Sequence, residues 1–304
     1  MTVVPPSSGE PRRPEGPRDP GDAWVVAPTG EKYWGRFGAA GLLAVDPVRG
    51  VLLQHRVAWS HFGGTWGLPG GALHEGEPAI VGAVREAQEE AGVPDGSVRA
   101  RFTSVLDLGI WSYTTVVADV LVPFEPVISD PESVALEWVP LDEVTSRRLH
   151  PGFGAAWPRL RALLADRPVV VVDAANVVGS VPDGWWKDRA GAATRLRERL
   201  AGLALPAAEL GLEGSVWFPE VVMVVEGQAR DLASDLSGVA VVRADAVGDD
   251  AIVAEVSRLV GAGRTVVAVT SDRELRTRVE AAGAGGAQVR SAGWLLELLD
   301  AAHR

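Results

Sequence analysis

The chain has 304 residues, 47% hydrophobic and 23% charged, an ordinary globular balance at a length that suits two domains. Its net charge of −11 argues against indiscriminate binding to DNA or to a membrane surface, and the absence of cysteine excludes disulfides, thiolate metal sites and cysteine nucleophiles. No apolar run reaches the roughly 20 residues of a membrane span, and the N-terminus lacks the apolar core of a signal peptide, so a cytoplasmic protein without membrane partners is expected.

Residues 1–22 are rich in Pro, Gly and charge, with little to bury, and read as a disordered tail. A mixed α/β region is expected over 23–165. GAAGLLAVDP (38–47) and GVLLQHR (50–56) predict a hairpin around Asp46-Pro47 and Gly50. The Gly-rich HFGGTWGLPGGALHEGE (61–77) follows as a loop. A helix is predicted from about Pro78 to Ala91, since Pro suits a first helical turn and Gly92 the position just past the end. Strands are predicted over 101–109, 111–124 and 136–144, and a closing helix within 151–167. A second domain is expected over 166–304. PVVVVDAANVV (168–178) opens it with an apolar run typical of a strand buried on both faces. Helical and apolar segments then alternate to the end, the pattern of an open parallel sheet with helices on its faces.

Glu86, Glu89 and Glu90 share one face of the predicted helix at i, i+3 and i+4. Like charges at this spacing repel, and the helix C-terminus disfavours anions. A hard divalent cation, Mg²⁺ or Mn²⁺, compensates both effects. Arg85 can pair with a neighbouring carboxylate. Ala83, Ala87 and Ala91 form a small-residue face for close packing. Extended to Gly71, the spacing is Gly71, five residues, Glu77, seven residues, Arg85-Glu86, two residues, Glu89-Glu90, one residue, Gly92.

This pattern resembles the Nudix hydrolases, over roughly residues 36–162, with Ala87 where the family more often has a bulkier aliphatic. The resemblance implies a β/α/β sandwich and hydrolysis of a nucleoside diphosphate linked to another group. It implies Glu86, Glu89, Glu90 and the Gly70 carbonyl as metal ligands, with Arg85 in the catalytic set. Glu137 is the candidate for a further acid outside the box, with an exposed strand position the alternative, and Glu77 supports the loop or binds metal through water. GTWGLPGG resembles members that remove oxidised nucleoside triphosphates. Trp66, Trp111 and Tyr113 are candidates to stack on a base, with core packing the alternative for each.

In the second half, Asp173 ends one apolar strand, Asp249-Asp250 follow another, and Asp272 follows a third. Acids gathered at strand C-termini suit a metal-dependent phosphodiesterase, although such acids also cap helices. VDAANVVGS, GDDAIV and VTSDREL resemble the PIN-like nucleases, in particular their NYN branch. That resemblance implies Mg²⁺ ligands at Asp173, Asn176, Asp249, Asp250 and Asp272, with Asp173, Asp249 and Asp272 catalytic. Glu226 sits where such proteins often carry another acid. Lys187, Arg189, Arg195, Arg197 and Arg199 add positive charge, and Arg189, or Arg195 and Arg199 on one helix face, are candidates for phosphate contacts, with a solvated face the alternative; Trp185-Trp186 either stack on unpaired bases of single-stranded RNA or pack the helix entry. The expectation is therefore a Mg²⁺-dependent nucleotide pyrophosphohydrolase fused to a PIN-like ribonuclease domain. The alternative makes one half non-catalytic, either a nucleotide sensor or an inert binding platform.

Overall fold

A computed structural model describes residues 1–6, 21–182, 185–227, 238–245 and 247–301. The chain divides into two compact units, Met1–Leu163 and Leu164–Arg304.

The first unit opens with a small antiparallel sheet of β1 (Thr2–Val4), β2 (Trp24–Val26) and β3 (Lys32–Trp34). Thr2–Val4 therefore departs from the expected tail: Val3 pairs with Val25, which is fully buried. The rest of that expectation, over 7–20, lies outside the described residues. β4 (Ala39–Asp46) and β5 (Gly50–Arg56) form the expected hairpin. Asp46 Oδ1 accepts from the Val48 and Arg49 amides, and Gly50 takes φ +96° to turn the chain. The Gly-rich segment is less loop-like than expected: β6 (Trp66–Gly67) pairs with β5 and β7 (Gly70–Ala72) with β4. After α1 (Ala79–Ala91) come β8 (Val98–Asp107), β9 (Ser112–Val120), β10 (Ser133–Val139) and α2 (Pro151–Leu163). Across this sheet the order is β10-β5-β4-β9-β8, with β4 and β9 parallel and the other neighbours antiparallel.

Helix α1 packs through Ala83, Ala87 and Ala91, all fully buried, onto Ala40, Leu42, Ala44 and Leu52 of the sheet. The alanines let the helix lie close, so carboxylates flanking that stripe are carried down to the sheet. Gly92 ends the helix with φ +62°.

In the second unit five strands, β11 (Val169–Asp173), β14 (Glu220–Val225), β15 (Val239–Arg243), β16 (Val266–Val269) and β17 (Ala287–Arg290), form a sheet in the order β15-β14-β11-β16-β17. Every neighbouring pair is parallel. Between them run α3 (Ala174–Gly179), α4 (Arg189–Leu200), the short pair β12 (Leu205–Pro206) and β13 (Val216–Trp217) flanking α5 (Ala207–Leu210), then α6 (Gly248–Gly261) and α7 (Arg273–Ala282), with α8 (Ala292–Ala301) last. Val169 to Val172 are fully buried, as a central parallel strand requires. α6 and α7 cover one face through Ile252, Val256, Leu275 and Val279. The chain builds outward from β11 to β14 and β15, then crosses to β16 on the other side. β11 and β16 therefore flank the point where the strand order reverses, the place where open α/β sheets gather ligands.

Candidate active sites

Packing against the sheet buries two of the three box carboxylates: Glu86 is 2% and Glu90 7% exposed, whereas Glu89 points outward. Arg85 binds the set together. Its Nε and Nη2 donate to the two Glu77 oxygens at 2.8 and 2.9 Å, its Nη1 to Glu86 Oε1 at 2.6 Å, and its Nη2 to the Ala72 carbonyl. Glu89 lies 3.7 Å from the same guanidinium. This bidentate clamp, with the His74 amide, holds the Glu77 carboxyl down to about 2. Glu90 behaves oppositely: burial, then the Glu86 charge, push it up to about 8.

The Gly-rich strand supplies the other wall. Gly70 meets the cluster through its amide, which donates to Glu90 Oε2 at 2.9 Å. A Cβ on Gly71 would lie 2.7 Å from Glu86 Cδ, so only glycine leaves that carboxylate its place. Gln54 of β5 donates to Glu90 Oε2 and to Ser133 Oγ. Arg56, at the end of β5, lies 3.6 Å from Glu132, and both their charges act on Glu90. Gln54, Arg56, Glu132 and Ser133 were not expected from the sequence.

At Glu137 and Trp66 the structure shows the alternatives to a site role. Leu136 and Trp138 face the α1 core, so Glu137 between them faces away; it pairs with Arg147 at 2.8 Å. Trp66 is buried and stacked on His55 at 4.7 Å, with Arg147 over its ring, so it packs the fold and does not offer a free face to a base. Trp111 is half-buried, stacked on Tyr33 at 4.9 Å, and donates to the Trp34 carbonyl. Among the described residues no three His, Asp or Glu side chains converge, as they stand, tightly enough to hold an ion. The donor set nevertheless fits a hard cation: carboxylate oxygens in a cradle that a Cβ at position 71 would fill. Glu89 is exposed on the outer side of the cluster.

The second cluster forms at the carboxyl ends of β11 and β16. Asp173 Oδ1 accepts from the Asn176 amide at 3.0 Å, capping α3, and Oδ2 accepts from the buried Thr270 hydroxyl at 2.9 Å. Thr270 Oγ1 in turn accepts from the Asp272 amide, and Asp272 caps α7 through the Leu275 amide. Asn176 Oδ1 accepts from the Ser271 amide, and Glu226 from the Gly248 amide beside Asp249. Asp173 and Asp272 are thus caps and cluster members at once. Burial raises the Asp173 carboxyl, and the Asp249 and Glu226 charges raise it further. Burial raises Asp249 too, with Asp272 next, while Arg278 opposes. Asp250 turns outward to Arg278 instead of joining them. Arg189 is exposed at the start of α4, Trp186 is 58% exposed, Arg199 pairs with Asp300, and Arg197 is buried. The Trp185 side chain lies outside the described residues.

The NUDIX domain profile matches residues 35–160, the region that carries the first cluster. A Mycobacterium tuberculosis protein named "Putative 8-oxo-dGTP diphosphatase 3" is 48% identical over 166 residues, covering 51% of this chain and 76% of the relative. A Bifidobacterium longum "Nucleoside triphosphate pyrophosphatase/Nudix hydrolase fusion protein" is 44% identical over 158 residues, covering 49% of this chain and 33% of the relative. Among solved structures, "Crystal structure of a Nudix Hydrolase from M. Smegmatis, RenU" is similar at 47% identity and TM-score 0.45, covering 48% of this chain and 96% of that one. The chain belongs to the Nudix family. It is a hydrolase acting on pyrophosphate bonds.

Proposed function

We propose that the first unit hydrolyses nucleoside triphosphates of the oxidised-purine kind, using Mg²⁺ or Mn²⁺ held by Glu86, Glu89 and Glu90. The observation that carries this reading is the pair of buried carboxylates, Glu86 and Glu90, pressed against Gly70-Gly71 and locked by Arg85. When bound, the ion supplies an activated water and neutralises charge on the diphosphate. Arg85 holds the Glu86 carboxylate in place, and Glu77 braces Arg85 from the other side. Glu89, exposed beside Arg85, would be the third ligand. Glu132, not Glu137, is the further acid near Glu90. The M. tuberculosis relative's name supports the substrate class. Wild type and Glu89→Gln should be compared on a nucleotide panel with Mg²⁺. Preferred hydrolysis of 8-oxo-dGTP over dGTP, lost by at least ~100-fold in Glu89→Gln, is expected. Full activity in Glu89→Gln sinks the assignment.

For the second unit we propose a PIN-like, metal-dependent ribonuclease acting on single-stranded RNA. The support is that Asp173, Asp249, Asp272 and Glu226 lie near enough to act on one another's charge beside the strand-order reversal. Trp186 and Arg189, both exposed, lead into α4 and are the candidates to meet a base and a phosphate. Cleavage of single-stranded RNA that Asp173→Asn abolishes is expected. Absence of cleavage by wild type removes the reading.

A further inference from the structure

Gln54 is an anomaly in its strand. It follows Val51, Leu52 and Leu53 in β5, lies on the α1 face two residues from buried Leu52, and is 0% exposed. A leucine there would extend the core without a polar group to satisfy. Its amide nitrogen uses both protons, donating to Ser133 Oγ at 2.8 Å and to Glu90 Oε2 at 3.3 Å. Its carbonyl oxygen Oε1 is buried and has no hydrogen-bond partner. A fully buried amide with an unmet acceptor needs a reason beyond packing.

The reason lies in which Glu90 oxygen it holds. The Gly70 amide and the Gln54 amide come from two different strands, and both donate to Oε2. No hydrogen bond reaches Glu90 Oε1 among the described residues. The carboxylate is thus gripped by one oxygen and presents the other. Ser133 anchors the far side of the Gln54 amide, so rotation of Gln54 away from Glu90 costs a second hydrogen bond.

We propose that Gln54 is a positioning residue for the metal centre, orienting Glu90 so that its free oxygen faces the ion. The inference rests on the proposal that Glu90 is a ligand. Partners that orient a ligating carboxylate typically contribute ~10–100-fold to metal affinity. Gln54→Met keeps the volume and removes the amide. Calorimetric titration of the full chain with Mg²⁺, without nucleotide, should show the affinity of this centre weakened ~10–100-fold. Glu89→Gln identifies which binding signal belongs to the centre, apart from any at the C-terminal acids. Gln54→Asn, which keeps an amide one methylene short of Glu90, should weaken binding as well and serves if the Met variant does not fold. Mg²⁺ affinity within twofold of wild type in a folded Gln54 variant overturns the positioning role and leaves the centre standing. A wild-type chain in which Glu89→Gln removes no Mg²⁺ signal overturns both.

Discussion

Glu77 and Glu90 belong to one cluster and titrate in opposite directions, which gives the first unit a pH signature. Glu77 is held at about 2 in the folded chain against an ordinary 4.5. Its stabilising contribution is present above about pH 4.5 and is lost as pH falls through 2. Both partners are largely buried, 10% exposed for Glu77 and 19% for Arg85, so screening discounts little. Glu77→Gln should destabilise by ~2–3 kcal/mol at pH 7, and by progressively less towards pH 2, in denaturant titrations. A pH-independent gap would place its role elsewhere. Glu90 is raised to about 8, so between 4.5 and 8 the folded state holds a proton that the unfolded state releases. Its effect is most favourable below 4.5 and fades as pH rises through 8. In EDTA, Glu90→Gln should match wild type near pH 4.5 and exceed it in stability at pH 8.5. Mg²⁺ should then raise the wild-type melting temperature alone, because it binds the folded form. A wild-type melting temperature indifferent to millimolar Mg²⁺ counts against the centre.

The site is made where α1 meets the Gly-rich strand, and at this scale the test is Gly71. Its φ lies outside the left-handed region, so the backbone admits alanine. The obstacle is Glu86, 2.7 Å from the new Cβ. Gly71→Ala should keep the fold by circular dichroism while kcat for nucleotide hydrolysis falls ~10–100-fold, as expected for a displaced reactive group. Unchanged kcat would mean that Glu86 has room to move. The α1 half of this contact is legible in the sequence, because helical periodicity alone aligns Glu86, Glu89 and Glu90, and Pro78 and Gly92 mark the ends. The sheet half is not. Ser133 pairs with Arg56 and Ala135 with His55, with an irregular step between them. That step brings Ser133 to Gln54 on the α1 side, and no sequence period announces a bulge. The same blindness to register left Glu137 open between the site and an exposed strand position, since a strand residue faces core or solvent according to pairing. The three-residue β1 was missed because its Val-Val core is too short to outweigh the Pro-rich context.

At the scale of the whole molecule, each unit has its own core and its own acidic cluster. The open parallel sheet of the second unit is legible in its alternating apolar and helical segments, but the strand order is not. Only the placing of β16 beside β11 brings Thr270 to Asp173 across 97 residues. The two clusters also differ in what their hydrogen bonds serve. Around Glu86 and Glu90 the bonds hold carboxylates against a helix and a strand. Around Asp173 and Asp272 they also cap helices, so these acids carry fold stability whether or not RNA is cut. Asp173→Ala should therefore lower the melting temperature of the second unit, where loss of a cap typically costs ~1 kcal/mol. It should leave nucleotide turnover by the first unit within twofold of wild type. Conversely, Glu89→Gln should abolish nucleotide turnover and leave RNA cleavage unchanged. Measuring both reactions on both variants decides the matter: if either substitution moves the other unit's reaction by tenfold, the two sites are coupled and the picture of two independent metal-dependent hydrolases fails.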